Sequence, residues 1–152
     1  MKANIETWLI SDRMNNYLLK DIKQENLSDR SAMKGRSVGE QFAHIHNVRL
    51  LWLKVAMPEL LNGLTKIEKE SGITKELLAK ELTKSAEAIA QLLENGFTTG
   101  RIKGFKPHPE AFLGYIIAHE AHHRGQIILI LKENGHMPDK KILYGLWEWG
   151  TK

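Results

Sequence analysis

Residues 109–135, PEAFLGYIIAHEAHHRGQIILILKENG, decide how this chain folds. At about 100° per residue, Phe112, Ile116, His119, His123, Ile127 and Ile130 fall on one face of a helix. Pro109 suits the first helical turn, where its missing N–H has no intrahelical partner to lose. Asn134-Gly135 supplies a plausible left-handed stop. The resulting helix is long enough to be the central element, and two of its inward positions are histidines spaced i, i+4.

Three further apolar segments show the same period. The first runs from about Ala3 to Lys23 with Ile5, Trp8, Leu9, Leu18, Leu19 and Ile22, its stripe interrupted by Asp12, Asn15 and Asn16. The second opens on Ser37-Val38-Gly39-Glu40, a capping box in which hydroxyl and carboxylate satisfy free backbone N–H groups. It carries Val38, Phe42, Ile45, Val48, Leu51, Trp52 and Val55 and stops near Pro58. The third runs from about Thr74 to Glu94 and is expected to end before Gly96. No segment alternates with period two between hairpin turns, so the expected class is all-α, a four-helix bundle forming a single domain over residues 1–152. The connections near 24–36, 57–73 and 95–108 exceed the ~2–8 residues usual between bundle helices, and such extra loop tends to build a pocket rim. The tail holding Trp147 and Trp149 is expected to pack over the bundle.

Composition narrows the chemistry. The chain has 152 residues, 42% hydrophobic and 26% charged, ordinary globular values with length enough for a core that needs no staple. A bound metal would therefore be functional. There are no cysteines, which excludes disulfides, thiolate ligands and a covalent Cys nucleophile. Neither a signal-peptide layout nor a long uninterrupted apolar run is visible, so a cytoplasmic protein without a membrane partner is expected. The net charge of +4 is dispersed along the chain, and nucleic-acid binding does not follow from it.

Seven histidines compete for a site. On the second helix, angular projection puts His44 beside Val48, Leu51 and Val55 and makes it a better inward candidate than His46. On the last helix His122 lies about 60° to one side of the His119–His123 pair. A single buried histidine is commonly a hydrogen-bonded core residue. Two imidazoles facing the core one turn apart are unfavourable unless each finds a partner, and a metal ion gives both one. His108 and His136 read as solvated loop and helix-end residues, the roles of His46 and His122 stay open, and Gly125 is read as a point of close approach by another helix.

His119-Glu120-Ala121-His122-His123 also spells HExxH, the helical zinc motif whose Glu serves as base in metalloproteases. That reading lacks an evident third ligand and a strand to hold a peptide. The longer string through Arg124-Gly125-Gln126, together with Phe42-Ala43-His44-Ile45 upstream, resembles the DinB family of bacterial four-helix metalloproteins over nearly the whole chain. The resemblance implies a divalent metal, zinc or nickel, held by His44, His119 and His123. It further implies homodimers and, in some members, transferases or isomerases that use a low-molecular-weight thiol, which suits a chain without its own sulfur nucleophile. The expected function is thus a metal-dependent enzyme activating water or a thiol cosubstrate against a small molecule. The alternative is a non-catalytic metal-binding or dimerisation module. Asp12, Asn16 and Glu120 are candidates for hydrogen bonding to the ligands, and Asp12 and Glu120 for proton transfer.

Overall fold

The computed structural model describes residues 1–69 and 72–151. Four long helices form the body: α1 (Lys2–Asp21), α2 (Val38–Ala56), α3 (Lys75–Thr99) and α4 (Pro109–Glu133), followed by a short α5 (Lys140–Gly145). Single 3-10 turns at Gln24–Ser28 and Pro58–Leu61 occupy the first two connections. Among the described residues the only β pairing is an isolated bridge between Ile102 and Phe105, so the class is all-α as expected. No helix among them is long and apolar enough to cross a membrane.

Two apolar clusters give the helix directions. One joins Leu18 and Leu19 near the end of α1 to Val38 and Phe42 at the start of α2, Leu78 and Leu82 at the start of α3, and Ile127 to Leu131 near the end of α4. The other joins Trp8, Leu53, Ile89, Leu93 and Phe112, from the opposite ends of the same helices. Hence α1 and α4 point one way and α2 and α3 the other. Because α2 and α3 are parallel, their connection must climb the length of the bundle, which is why residues 57–74 cannot be a tight turn.

Local signals set most boundaries. The Ser37–Glu40 capping box starts α2, with the Glu40 backbone N–H donating to Ser37 Oγ at 3.2 Å and the Ser37 N–H donating to Glu40 Oε2 at 2.8 Å. Arg30 adds two bonds to that carboxylate and holds its pKa below the ordinary value. The α4 bounds follow the reading from Pro109 to the stop at Asn134-Gly135, Gly135 taking φ 76°.

Several expectations are corrected. Helix α3 continues through Gly96, which is buried because Ile102 fills the space a Cβ would need there, and stops at Gly100 with φ 75°. A Cβ at Gly125 would meet no described residue within 4 Å, so the close approach expected there is absent; the recess beside it is bordered by Leu143 and Leu146. The tail packs through Ile142 and Leu146 of the α5 region, while Trp147 remains 83% exposed. On α2, Leu51 and Val55 face solvent, and the buried stripe is Phe42, Ile45, His46, Arg49 and Leu53. His46, expected to be less inward than His44, is fully buried, whereas His44 is half-buried.

Candidate metal centre

Between the two apolar clusters lies a buried polar band. Arg49 of α2 is completely enclosed, donating from Nε to Glu120 Oε1 at 2.7 Å, from Nη2 to Asp12 Oδ1 at 2.8 Å and Glu120 Oε2 at 2.9 Å, and from Nη1 to the Leu82 carbonyl at 2.8 Å. Its guanidinium also sits 4.9 Å from the Trp8 ring centroid. Asn15 donates to Glu120 Oε2 at 2.7 Å and accepts from Arg124 at 2.7 Å. Burial alone would lower the Arg49 pKa, but the Glu120 and Asp12 carboxylates together raise it, so the charge persists. For Asp12, burial outweighs the attraction of Arg49 and pushes its pKa up.

From the same turn of α4 that sends Glu120 into this band, His119 and His123 project towards α2. There they meet His44, whose ring centroid is 5.5 Å from that of His119 and 4.6 Å from that of His123. One ring nitrogen from each of the three lies within 4.8 Å of the others. The structure therefore brings together the three histidines expected to converge. Asp12 and Glu120 are drawn to Arg49 instead, and Asn16 donates to Asp12 Oδ2 at 3.3 Å. His122 is exposed, its ring 5.1 Å from that of His123.

The donor set suits a cation. His123 Nε2 faces His119 Nε2 at 3.1 Å, near the spacing of about 3.4 Å that two nitrogens adopt on a tetrahedral zinc ion with ~2.05 Å bonds. His119 Nδ1 is buried with no hydrogen-bond partner among the described residues. Burial, with the neighbouring imidazoles and Arg36 adding to it, lowers the pKa of His123 to about 3; burial and Arg36 lower that of His44 to about 4. The same burial lowers that of His119. All three rings are thus neutral near pH 7, with lone pairs free to bind. Gln41 Oε1 accepts from His123 Nδ1 at 2.7 Å, which fixes the tautomer and leaves the Nε2 lone pair turned to the cluster. Sequence reasoning missed Gln41, although it stands three residues before His44 and shares its helix face.

Both flanks of the centre are defined. On one, Tyr115 stacks towards His119 at 6.3 Å and continues into an aromatic group of Trp52, Phe105 and Phe112 with centroids 5.2–6.2 Å apart. On the other, a cleft of about 250 Å³ opens against His44, walled by Arg36, Asn47 and the 66–69 segment. His46 shapes this wall: its Nε2 lies 2.9 Å from the Thr65 carbonyl and its Nδ1 3.0 Å from that of Glu81. Asn47 next to it exchanges two bonds with the Ile67 backbone, at 2.9 Å each.

Comparison with known proteins agrees with this architecture. A crystal structure of a DinB-like protein from Bacillus cereus superposes with a TM-score of 0.66 at 19% identity, covering 89% of this chain and 93% of that one. A DinB-like protein from Bacillus subtilis gives 0.63 at 24% identity, covering 90% and 94%. No curated protein matches the chain in sequence. The model of the DinB family matches residues 3–149, and the chain belongs to that family.

Proposed function

We propose that this chain binds a divalent cation, zinc or nickel, through His44, His119 and His123. We further propose that it is a metal-dependent enzyme acting on a small molecule, with water or a low-molecular-weight thiol as nucleophile. The observation that carries the reading is the convergence of three neutral imidazoles from α2 and α4 at a half-open groove. A cation with three such donors supplies Lewis acidity and an open position at which a water or thiol becomes more acidic.

The chain's own groups support that chemistry. Gln41 orients His123, the Tyr115 flank offers an apolar wall, and the cleft beside His44 admits a reactant from solvent. Asp12 and Glu120 act as positioning residues, because both carboxylates are spent on Arg49. The HExxH reading then loses its base: Glu120 is fully buried and both its oxygens are taken by Arg49 and Asn15. A chain without cysteine takes any thiol from a cosubstrate, and the cytoplasm, where small thiols stay reduced, is the setting this calls for. A homodimer is part of the proposal, supported by the exposed outer face of α4.

The test is calorimetric titration of untagged, metal-free protein with zinc and with nickel. One site per chain is expected, lost on substituting any of the three histidines by Ala and weakened about 10–100-fold in Gln41→Ala. Wild-type protein that takes up neither ion, or a His123→Ala variant that binds as well as wild type, would overturn the reading.

A further inference from the structure

Among the described residues, the charge in the cleft beside His44 does not balance. Two carboxylates and three cations line it, Glu40 and Glu68 against Arg36, Lys66 and Lys69. Glu40 is committed to Arg30, at 2.8 and 3.0 Å, and to the capping box. Glu68 is paired with Lys66 at 2.8 Å. Arg36 makes no hydrogen bond or ion pair with any described residue, and Lys69 makes no ion pair with one. Among the described residues Arg36 therefore faces the cleft without a paired carboxylate, and Lys69 has only the attraction of Glu40, which is already bonded to Arg30. Arg36 is close enough to the centre to act on all three histidines, lowering the pKa of each.

We infer that this cleft is an oxyanion subsite, in which Arg36 and Lys69 hold the carboxylate or phosphate of an anionic reactant while its other end reaches the three-histidine centre. The inference deepens the proposed function and rests on it for the reaction. The anion-binding part stands on the cleft alone. Arginine's planar fork matches a carboxylate or phosphate with two parallel bonds, and lysine adds a point charge. The volume, about 250 Å³, suits a small anionic molecule. His46 and Asn47 tie the backbone at Thr65 and Ile67 to α2, which keeps the segment bearing Lys66 and Lys69 beside His44.

The test uses the metal-free, untagged chain and two probes, succinate and inorganic phosphate, followed by amide and histidine ring NMR signals at low salt. Saturable shifts are expected at residues 36–47 and 65–69 and at the His44 ring, with Kd about 1 mM or tighter for at least one probe. The tighter probe identifies the oxyanion. Arg36→Gln should weaken binding about tenfold or more, Arg36→Lys should recover part of it, and Lys69→Gln should cost a smaller factor. Shifts that do not saturate, that scatter over surface lysines, or that survive the paired Arg36→Gln and Lys69→Gln substitutions overturn the inference. Metal uptake is scored separately by titration. Anion binding without metal uptake would remove the reaction and keep the subsite; metal uptake without anion binding would do the reverse.

Discussion

Arg49 is the residue on which the interior turns. It is the largest buried charge, shared between Asp12 of α1 and Glu120 of α4 and bonded to α3 through the Leu82 carbonyl, so one side chain touches all four long helices. A buried ion pair adds little net stability when made, but removing one partner strands the other in a low dielectric. Arg49→Met should therefore cost about 3–5 kcal/mol, read as a fall in urea midpoint with unchanged slope. A loss below about 1 kcal/mol would mean that water reaches the two carboxylates after all. The residue also bears on the centre: Arg49 grips Glu120 about 60° round α4 from His123 and about 100° from His119, which fixes the rotation of that helix and with it the direction of both rings. In sequence this was half visible. Asp12 and Asn15 stood out as breaks in an apolar stripe, but nothing local says that a break in one helix is the partner of an arginine in another.

At the scale of elements, α4 was legible from cap to cap because Pro109, its apolar period and Asn134-Gly135 all agree. Helix α2 was misjudged for a physical reason. Its buried stripe contains His46 and Arg49, and counting those as surface residues moves the apparent apolar face round to Val48, Leu51 and Val55. His44 was thereby assigned to the core, when it owes its place in the cluster to a half-exposed groove between α2 and α4. The long α2–α3 connection was visible as an excess of loop, but its attachment to α2 was not, since it depends on a side chain meeting a backbone carbonyl 19 residues away. His46 has both nitrogens against carbonyls; a neutral ring donates to only one, while burial opposes the protonated form. His46→Leu should cost about 1–3 kcal/mol by leaving those acceptors unpaired. It should also speed amide exchange across 64–69 by about tenfold or more, measured by hydrogen–deuterium exchange. If exchange there matches wild type, Asn47 alone holds the cleft wall.

Over the whole molecule, the outer face of α4 lacks a cover. Gly114, Ala118, Ala121, Gly125 and Leu129 recur at helical spacing and are all exposed, beside a shallow apolar recess that includes Leu143, Leu146 and Trp147. Small residues in such a row let two helices approach closely, and a contiguous apolar patch of this kind commonly marks an interface. Among the described residues nothing packs within 4 Å of a Cβ at Gly125, so a second copy is the occupant that would give this glycine a packing role. Gly125→Arg is a useful probe, because a Cβ there meets nothing within 4 Å and the substitution replaces a residue that weakens a helix by about 1 kcal/mol. By sedimentation velocity the wild type should be a dimer and Gly125→Arg a monomer, with helical content and metal uptake intact. A wild type that sediments as a monomer, or a variant that stays dimeric, would leave the exposed face of α4 without that partner. A monomeric variant that also lost its metal would instead mean that the groove between α2 and α4 depends on assembly for its shape.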